Sequence, residues 1–147
     1  MANEDIGLAD PRAIEIAMTA SEVYERLGSP EGELAIAQAI VYLSCAPKSN
    51  AIYLAFMQSM QAAKAHGNLE VPIYLRNAPT QLMKSLNYGR EYRYAHDEPE
   101  GYAAGVNYFP KELANQIFYH PVERGFELKI AERLAYFRNL DKNTKST

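Results

Sequence analysis

From Leu34 to Ala46 the chain is apolar at every position except Gln38 and Ser44, so a helix carrying this run is apolar on all its sides. Such a helix needs neighbours all round it, drawn from the other helices of this chain or from another copy of it. Beyond the break Pro47-Lys48-Ser49-Asn50, Ala51 to Met57 continues in the same manner. The two stretches predict the centre of an all-α bundle, with Ile36, Ile40, Tyr42, Leu43, Tyr53 and Phe56 as its core or the seam between subunits.

The flanking segments read as amphipathic helices with clear stops. Asp10-Pro11 pairs a capping carboxylate with a proline where the missing N–H costs nothing, and Gly28 ends the helix it starts. Within it Ile14, Ala17, Met18, Ser21, Tyr24 and Leu27 mark one face. Ser29-Pro30 opens the central helix, with Glu31 and Glu33 in its first turn, so these two helices should form an antiparallel hairpin. Pro47 stops the central helix at Ala46, and Ser49 or Asn50 caps a third helix from Ala51 to Ala65. Asn77-Ala78-Pro79-Thr80 starts a short fourth helix with Leu82, Met83 and Leu86 inward, and Tyr88-Gly89 ends it. Arg90 to Tyr108 is an irregular, tyrosine-rich connection in which Tyr92 to Tyr94 has strand-like alternation. Pro110 to Tyr119 predicts a short helix. Pro121 to Leu140 predicts the last one, with Phe126, Ile130, Leu134 and Phe137 inward and Glu127, Lys129, Glu132 and Arg133 facing water. Residues 141–147 read as a frayed polar tail.

At 147 residues the chain has a one-domain length and can bury a real core. Its net charge of -3 gives no global attraction to nucleic acid or anionic lipid, so contact with DNA needs a local patch. Cys45 is the single cysteine, which excludes an internal disulfide and fits a reducing compartment, and its place in the apolar run predicts a buried small hydrophobe. The apolar run is too short for a bilayer, which needs about 20 residues, so no membrane role and a cytoplasmic location are expected. Eleven tyrosines and no tryptophan reflect either lineage habit or rings reserved for an interface.

Candidate chemistry is sparse. Neither a phosphate-binding glycine loop nor a nucleophile elbow is present in the sequence. His96-Asp97-Glu98 is the one local cluster of metal-ligand types, and it would carry a small metal-dependent hydrolase if it held an ion, but its spacing fits a solvated role better. The more informative stretch is cationic. Lys48, Lys64, Arg76, Lys84, Arg90 and Arg93 stand against Glu70 and Glu91 alone, whereas residues 3–33 are rich in acids. Tyr88, Tyr92 and Tyr94 lie among the arginines, the mixture that single strands use for stacking and phosphate contact. Lys48, Arg76, Lys84, Arg90, Tyr92 and Arg93 are the candidate contacts to DNA or a protein partner. The alternative is that Arg76 and Arg90 pair with acids of the first helix while the rings pack.

Several blocks coincide with a known family. Glu4-Asp5-Ile6-Gly7, Ala9-Asp10-Pro11-Arg12-Ala13, Ala46-Pro47-Lys48-Ser49-Asn50 and Leu75-Arg76-Asn77-Ala78-Pro79-Thr80 lead them, with Leu82-Met83-Lys84, Tyr92-Arg93-Tyr94 and Arg124-Gly125 following. They resemble the C-terminal region of the replication-associated recombination protein A family of AAA+ ATPases, which includes the Werner-helicase-interacting protein. The resemblance implies a helical domain similar to the clamp-loader collar that holds subunits as a homotetramer and has no catalytic step of its own. It places the ATPase core and lid, with their ATP and magnesium, before Asn3. It also implies DNA and single-strand-binding protein as partners of the whole protein, in a cytoplasmic, nucleoid-associated setting. Gln81 and Asn87 stand where the family pattern leads one to expect lysine and glycine, which removes one positive charge from the patch.

Overall fold

The computed structural model describes residues 1–114 and 116–145. It is all-α, and no strand occurs among the described residues. Two compact units divide the chain, one formed by Met1–Ala62 with Ile117–Arg133 and the other by the described parts of Ala63–Gln116 and Leu134–Thr147.

In the first unit, helix α1 spans Arg12–Leu27 and helix α2 spans Glu31–Cys45, joined by the turn at Gly28. They form the expected hairpin. Asp10 caps α1, its Oδ1 accepting from the Arg12 amide at 3.1 Å, while its Oδ2 accepts from the Tyr42 hydroxyl at 2.7 Å and ties α1 to α2. The hairpin is tight because small residues meet at its seam. A Cβ added to Gly32 would come within 2.6 Å of the Tyr24 Cα, and Ala13, Ala20 and Ala39 are buried. This rotates α1 away from the face its largest apolar residues mark. Ile14, Met18 and Leu27 are exposed, because closely approaching backbones leave little room at the contact for large side chains, while Tyr24 lies at the seam against Gly32 and is still 49% exposed.

The core of this unit is Ile6, Ala13, Leu43 and Ala46, with Ala2, Ala17 and Tyr42 packed on it. A turn of π-helix over Ala2–Ile6 delivers Ile6 to that core. The N-terminal segment is also pinned by backbone. Ser49 donates its amide to the Asp5 carbonyl at 2.7 Å, and Phe126 donates to the Ala9 carbonyl at 2.8 Å. Gly125 makes this approach possible. Its φ is 55°, and a Cβ there would fall 2.0 Å from the Ala9 carbonyl oxygen.

Helix α3 spans Ala51–His66 and begins in this unit. Ala51 is its only buried residue, and α3 packs extensively on no other element of the described residues.

The second unit is mostly irregular backbone. Helix α4 covers Gln81–Ser85 and is capped by Thr80, whose hydroxyl accepts from the Met83 amide at 3.2 Å. Three-residue helical turns lie at Ile73–Leu75, Ala95–Asp97, Pro99–Gly101 and Lys111–Leu113. Residues 92–94 form no strand, and the helix expected over 110–119 is reduced to the Lys111–Leu113 turn. Asn87 stands with φ 62°, the left-handed conformation that suits glycine best and that asparagine tolerates better than most residues. Its exchange for glycine is therefore cheap for the backbone.

Helix α5 spans Glu127–Lys145, starting six residues after Pro121 and running past Leu140 into the polar segment. Ser146 and Thr147 lie outside the described residues. The helix is held by its side chains. Asp141 accepts from the Tyr102 hydroxyl at 3.0 and 2.9 Å and from the Gly105 amide at 2.8 Å, while Tyr102 stacks on Phe137 with centroids 4.2 Å apart.

Candidate functional site

Each unit presents one surface of functional interest. In the first unit, α2 is apolar all round but is covered on one side only. Ala39, Leu43 and Ala46 repeat at helical spacing on the line facing the core. Opposite them, Leu34 is 69% exposed, Ile40 58% and Val41 65%. On α3, Tyr53, Phe56, Met57 and Met60 are exposed as well. Of the six residues expected at the core or seam, Leu43 is buried in the core and Tyr42 is bonded to Asp10. Ile36 is half-buried, and Ile40, Tyr53 and Phe56 face outward. Cys45 is exposed rather than buried, since it lies two residues past Leu43 and so on the far side of the helix.

The hydrogen bond to Asp10 raises the Tyr42 phenol above its ordinary value, with desolvation acting the same way. That keeps the hydroxyl a donor.

Behind this surface sits a buried carboxylate that the sequence pattern assigned to water. Glu127 is fully buried at the start of α5, where its Oε1 accepts from the Ser49 hydroxyl at 3.0 Å and its Oε2 from the Val122 amide at 2.7 Å. The reason is the later helix start, which turns Glu127 from a mid-helix position into a first-turn one. The Tyr119 hydroxyl is also buried and has no hydrogen-bond partner among the described residues. Desolvation, with the Glu127 charge nearby, pushes its phenol up to about 12. No local signal in the sequence identifies the Ser49–Glu127 pair, which joins positions 78 residues apart.

The second unit gathers part of the cationic stretch around a cleft of about 530 Å³. Arg76, Lys84, Arg90 and Tyr92 line it together with Tyr74 and Tyr88. Arg76 is the best-bonded of them. Its Nη2 meets Glu70 at 2.6 Å, its Nε donates to the Val71 carbonyl at 2.6 Å, and its guanidinium lies 5.3 Å from the Tyr88 ring centroid. The hydrogen bond to Glu70, and after it the one to the Tyr88 hydroxyl, raise its already high pKa. Arg76 thus pairs with an acid of its own unit, and Arg90 donates to the Asn87 side chain at 3.2 Å.

Two candidate contacts lie outside this cleft and are engaged elsewhere. Lys48 donates its ammonium to the carbonyls of Leu43 at 2.6 Å and Ala46 at 2.7 Å, closing the C-terminal end of α2. Arg93 grips Glu98 through two bonds of 2.7 and 2.6 Å and the Ala104 carbonyl at 2.6 Å. The hydrogen bond from Arg93 holds the Glu98 carboxyl below the usual carboxylate range. In the His96-Asp97-Glu98 cluster Glu98 is thus committed to Arg93, and His96 lies against the Tyr94 ring with centroids 4.9 Å apart. No group of three or more metal-ligand side chains converges among the described residues. Tyr74 is the lining residue that sequence reasoning missed. It sits outside the arginine-rich run, and its hydroxyl bonds to the Asn107 carbonyl.

No helix among the described residues is long and apolar enough to cross a membrane. A family model described as MgsA AAA+ ATPase C terminal matches residues 1–138. The chain is 60% identical to the replication-associated recombination protein A of Coxiella burnetii over 147 residues, all of this chain and 33% of that protein. It is 54% identical to the protein of the same name from Escherichia coli K12, over 98% of this chain and 32% of that protein. It is 39% identical to ATPase WRNIP1 of Dictyostelium discoideum, over 81% of this chain and 14% of that protein. The chain spans about a third of the length of its bacterial relatives named here.

Proposed function

Because the chain belongs to the MgsA AAA+ ATPase C-terminal family, we propose that it is a non-catalytic assembly domain that joins four copies into a homotetramer. The observation that carries this reading is the apolar surface of α2 and α3, where Leu34, Ile40, Val41 and Phe56 are each more than half exposed. A soluble chain rarely leaves so much apolar surface on two consecutive helices uncovered.

The magnitudes support a broad interface. Burying four such side chains contributes about 1.5–3 kcal/mol each, and association costs roughly 4–15 kcal/mol in lost freedom. Four residues alone barely offset that cost, so Tyr53, Met57 and Met60 of α3 belong to the same contact. Helix α3 needs it for another reason, since a helix of 16 residues with a single buried side chain draws little stability from packing and is marginal in water.

On this reading the whole protein is an AAA+ ATPase of replication-fork maintenance, recombination and repair, acting in the cytoplasm at the nucleoid. Its ATPase module handles ATP and magnesium, and its partners are DNA and single-strand-binding protein. The assembly domain sets how many modules act together. Light scattering during gel filtration over a wide dilution series tests the reading, with an expected mass of four times 16.5 kDa. A mass of one chain at the highest concentration overturns it.

A further inference from the structure

The cleft of the second unit is cationic and aromatic together, and the assembly reading makes no use of it. Three cations and three tyrosine rings line it, and no acid does. The wall from Tyr88 to Tyr92 is fixed by backbone bonds, the Gly89 amide donating to the Ile73 carbonyl at 3.0 Å and the Tyr92 amide to the Gly89 carbonyl at 3.2 Å.

The lining residues divide into a brace and a contact surface. Arg76 is neutralised by Glu70 and holds Tyr88, so it is a positioning residue. Lys84 and Arg90 are exposed and engage no carboxylate among the described residues, and Tyr92 is 53% exposed. Cations without a carboxylate partner beside an open ring match a chain of phosphates whose bases are unstacked. An acidic peptide would use the cations and leave the rings bare. A duplex hides the faces of its bases.

We propose that this cleft binds single-stranded nucleic acid, with a base stacked on Tyr92 and the flanking phosphates on Lys84 and Arg90. The test is a fluorescence anisotropy titration of a labelled oligothymidylate at several salt concentrations. The double variant Lys84→Ala/Arg90→Ala should bind more weakly at low salt and lower the slope of log affinity against log salt by about 1.4, at roughly 0.7 for each phosphate no longer neutralised. Tyr92→Ala should weaken binding by roughly 5- to 100-fold with the slope unchanged, Tyr92→Phe should restore it, and an abasic strand should not distinguish Tyr92→Ala from the parent.

Equal binding by parent and variants overturns the proposal. So does a Tyr92→Ala variant with full affinity, because charge alone then explains the contact, and so does a preference for duplex of equal length. The three side chains are exposed, so the variants should keep the parent's helical circular dichroism. Their light-scattering mass should also equal the parent's, which separates failure here from failure of the assembly reading.

Discussion

Helices α1 and α2 satisfy their backbone groups internally and meet through alanine and glycine. Residues 67–111 of the second unit contain no helix longer than five residues among those described, and their shape rests on side chains bonded to backbone. Arg76 holds the Val71 carbonyl, Arg93 the Ala104 carbonyl, and Asp141 the Gly105 amide. A self-satisfied backbone tolerates exposed apolar side chains without losing its form, so the first unit can offer a broad apolar surface. An irregular backbone needs particular polar partners, and those partners also place cations and rings around a cleft.

The sharpest way to break the comparison is Ile40→Asp. In the first unit this residue faces outward, so the charge should abolish assembly and leave the chain folded. Burying an unpaired carboxylate at an interface costs at least about 3 kcal/mol, or more than roughly 100-fold in dissociation constant. Light scattering should then show single chains with unchanged circular dichroism, and an unfolded variant would mean that the exposed surface is part of the fold.

Gly125→Ala follows in size. The new Cβ collides with the Ala9 carbonyl at 2.0 Å and with Pro47 at 2.8 Å, and the expected loss is about 3 kcal/mol. It should appear as a lower urea midpoint for the first unit. Glu127→Ala leaves the Ser49 hydroxyl and the Val122 amide without their acceptor, at about 2 kcal/mol. Glu127→Gln should recover part of it.

The smallest effect belongs to the second unit and depends on pH. Because Arg93 depresses the Glu98 pKa, the folded state binds that proton less readily than the unfolded one. The pair's contribution is therefore complete above the ordinary carboxylate range and is lost as the pH falls from that range down through the lowered folded-state value. Amide protection over residues 93–104, measured against the intrinsic exchange rate at each pH, should fall in acid, and Glu98→Gln should abolish that pH dependence. An equal loss of protection in α1 would show that the two regions do not differ in this way.

Much of the architecture is legible in sequence. Asp10-Pro11, Gly28 and Pro47 mark the ends of α1 and α2, because capping and proline geometry act within a few residues. Asn77-Ala78-Pro79-Thr80 marks the start of α4 in the same way, and the structure shows Thr80 to be its cap. Among the described residues the helix expected over 110–119 is reduced to the Lys111–Leu113 turn, so the proline signal at Pro110 starts a single turn there. The start of α5 also departs from expectation. Pro121 is a local signal, whereas the observed start at Glu127 is fixed by Ser49 and by the close passage of Gly125 over Ala9. Of the candidate contacts, Arg76, Lys84, Arg90 and Tyr92 share the cleft, and Lys48 and Arg93 do not. Charge pattern alone cannot separate these groups, since the partners of Lys48 and Arg93 include backbone carbonyls that composition does not display.

By itself, the sequence determined the all-α class, the hairpin, the apolar excess on α2 and α3, and the family, since each is written in local periodicity or in contiguous blocks. Only the tertiary structure decided which side of α2 is covered, that α1 turns its large apolar residues outward, and which cations remain without a carboxylate partner. Those outcomes depend on how closely two backbones approach and on where distant carbonyls and carboxylates come to lie, and no stretch of neighbouring residues encodes either.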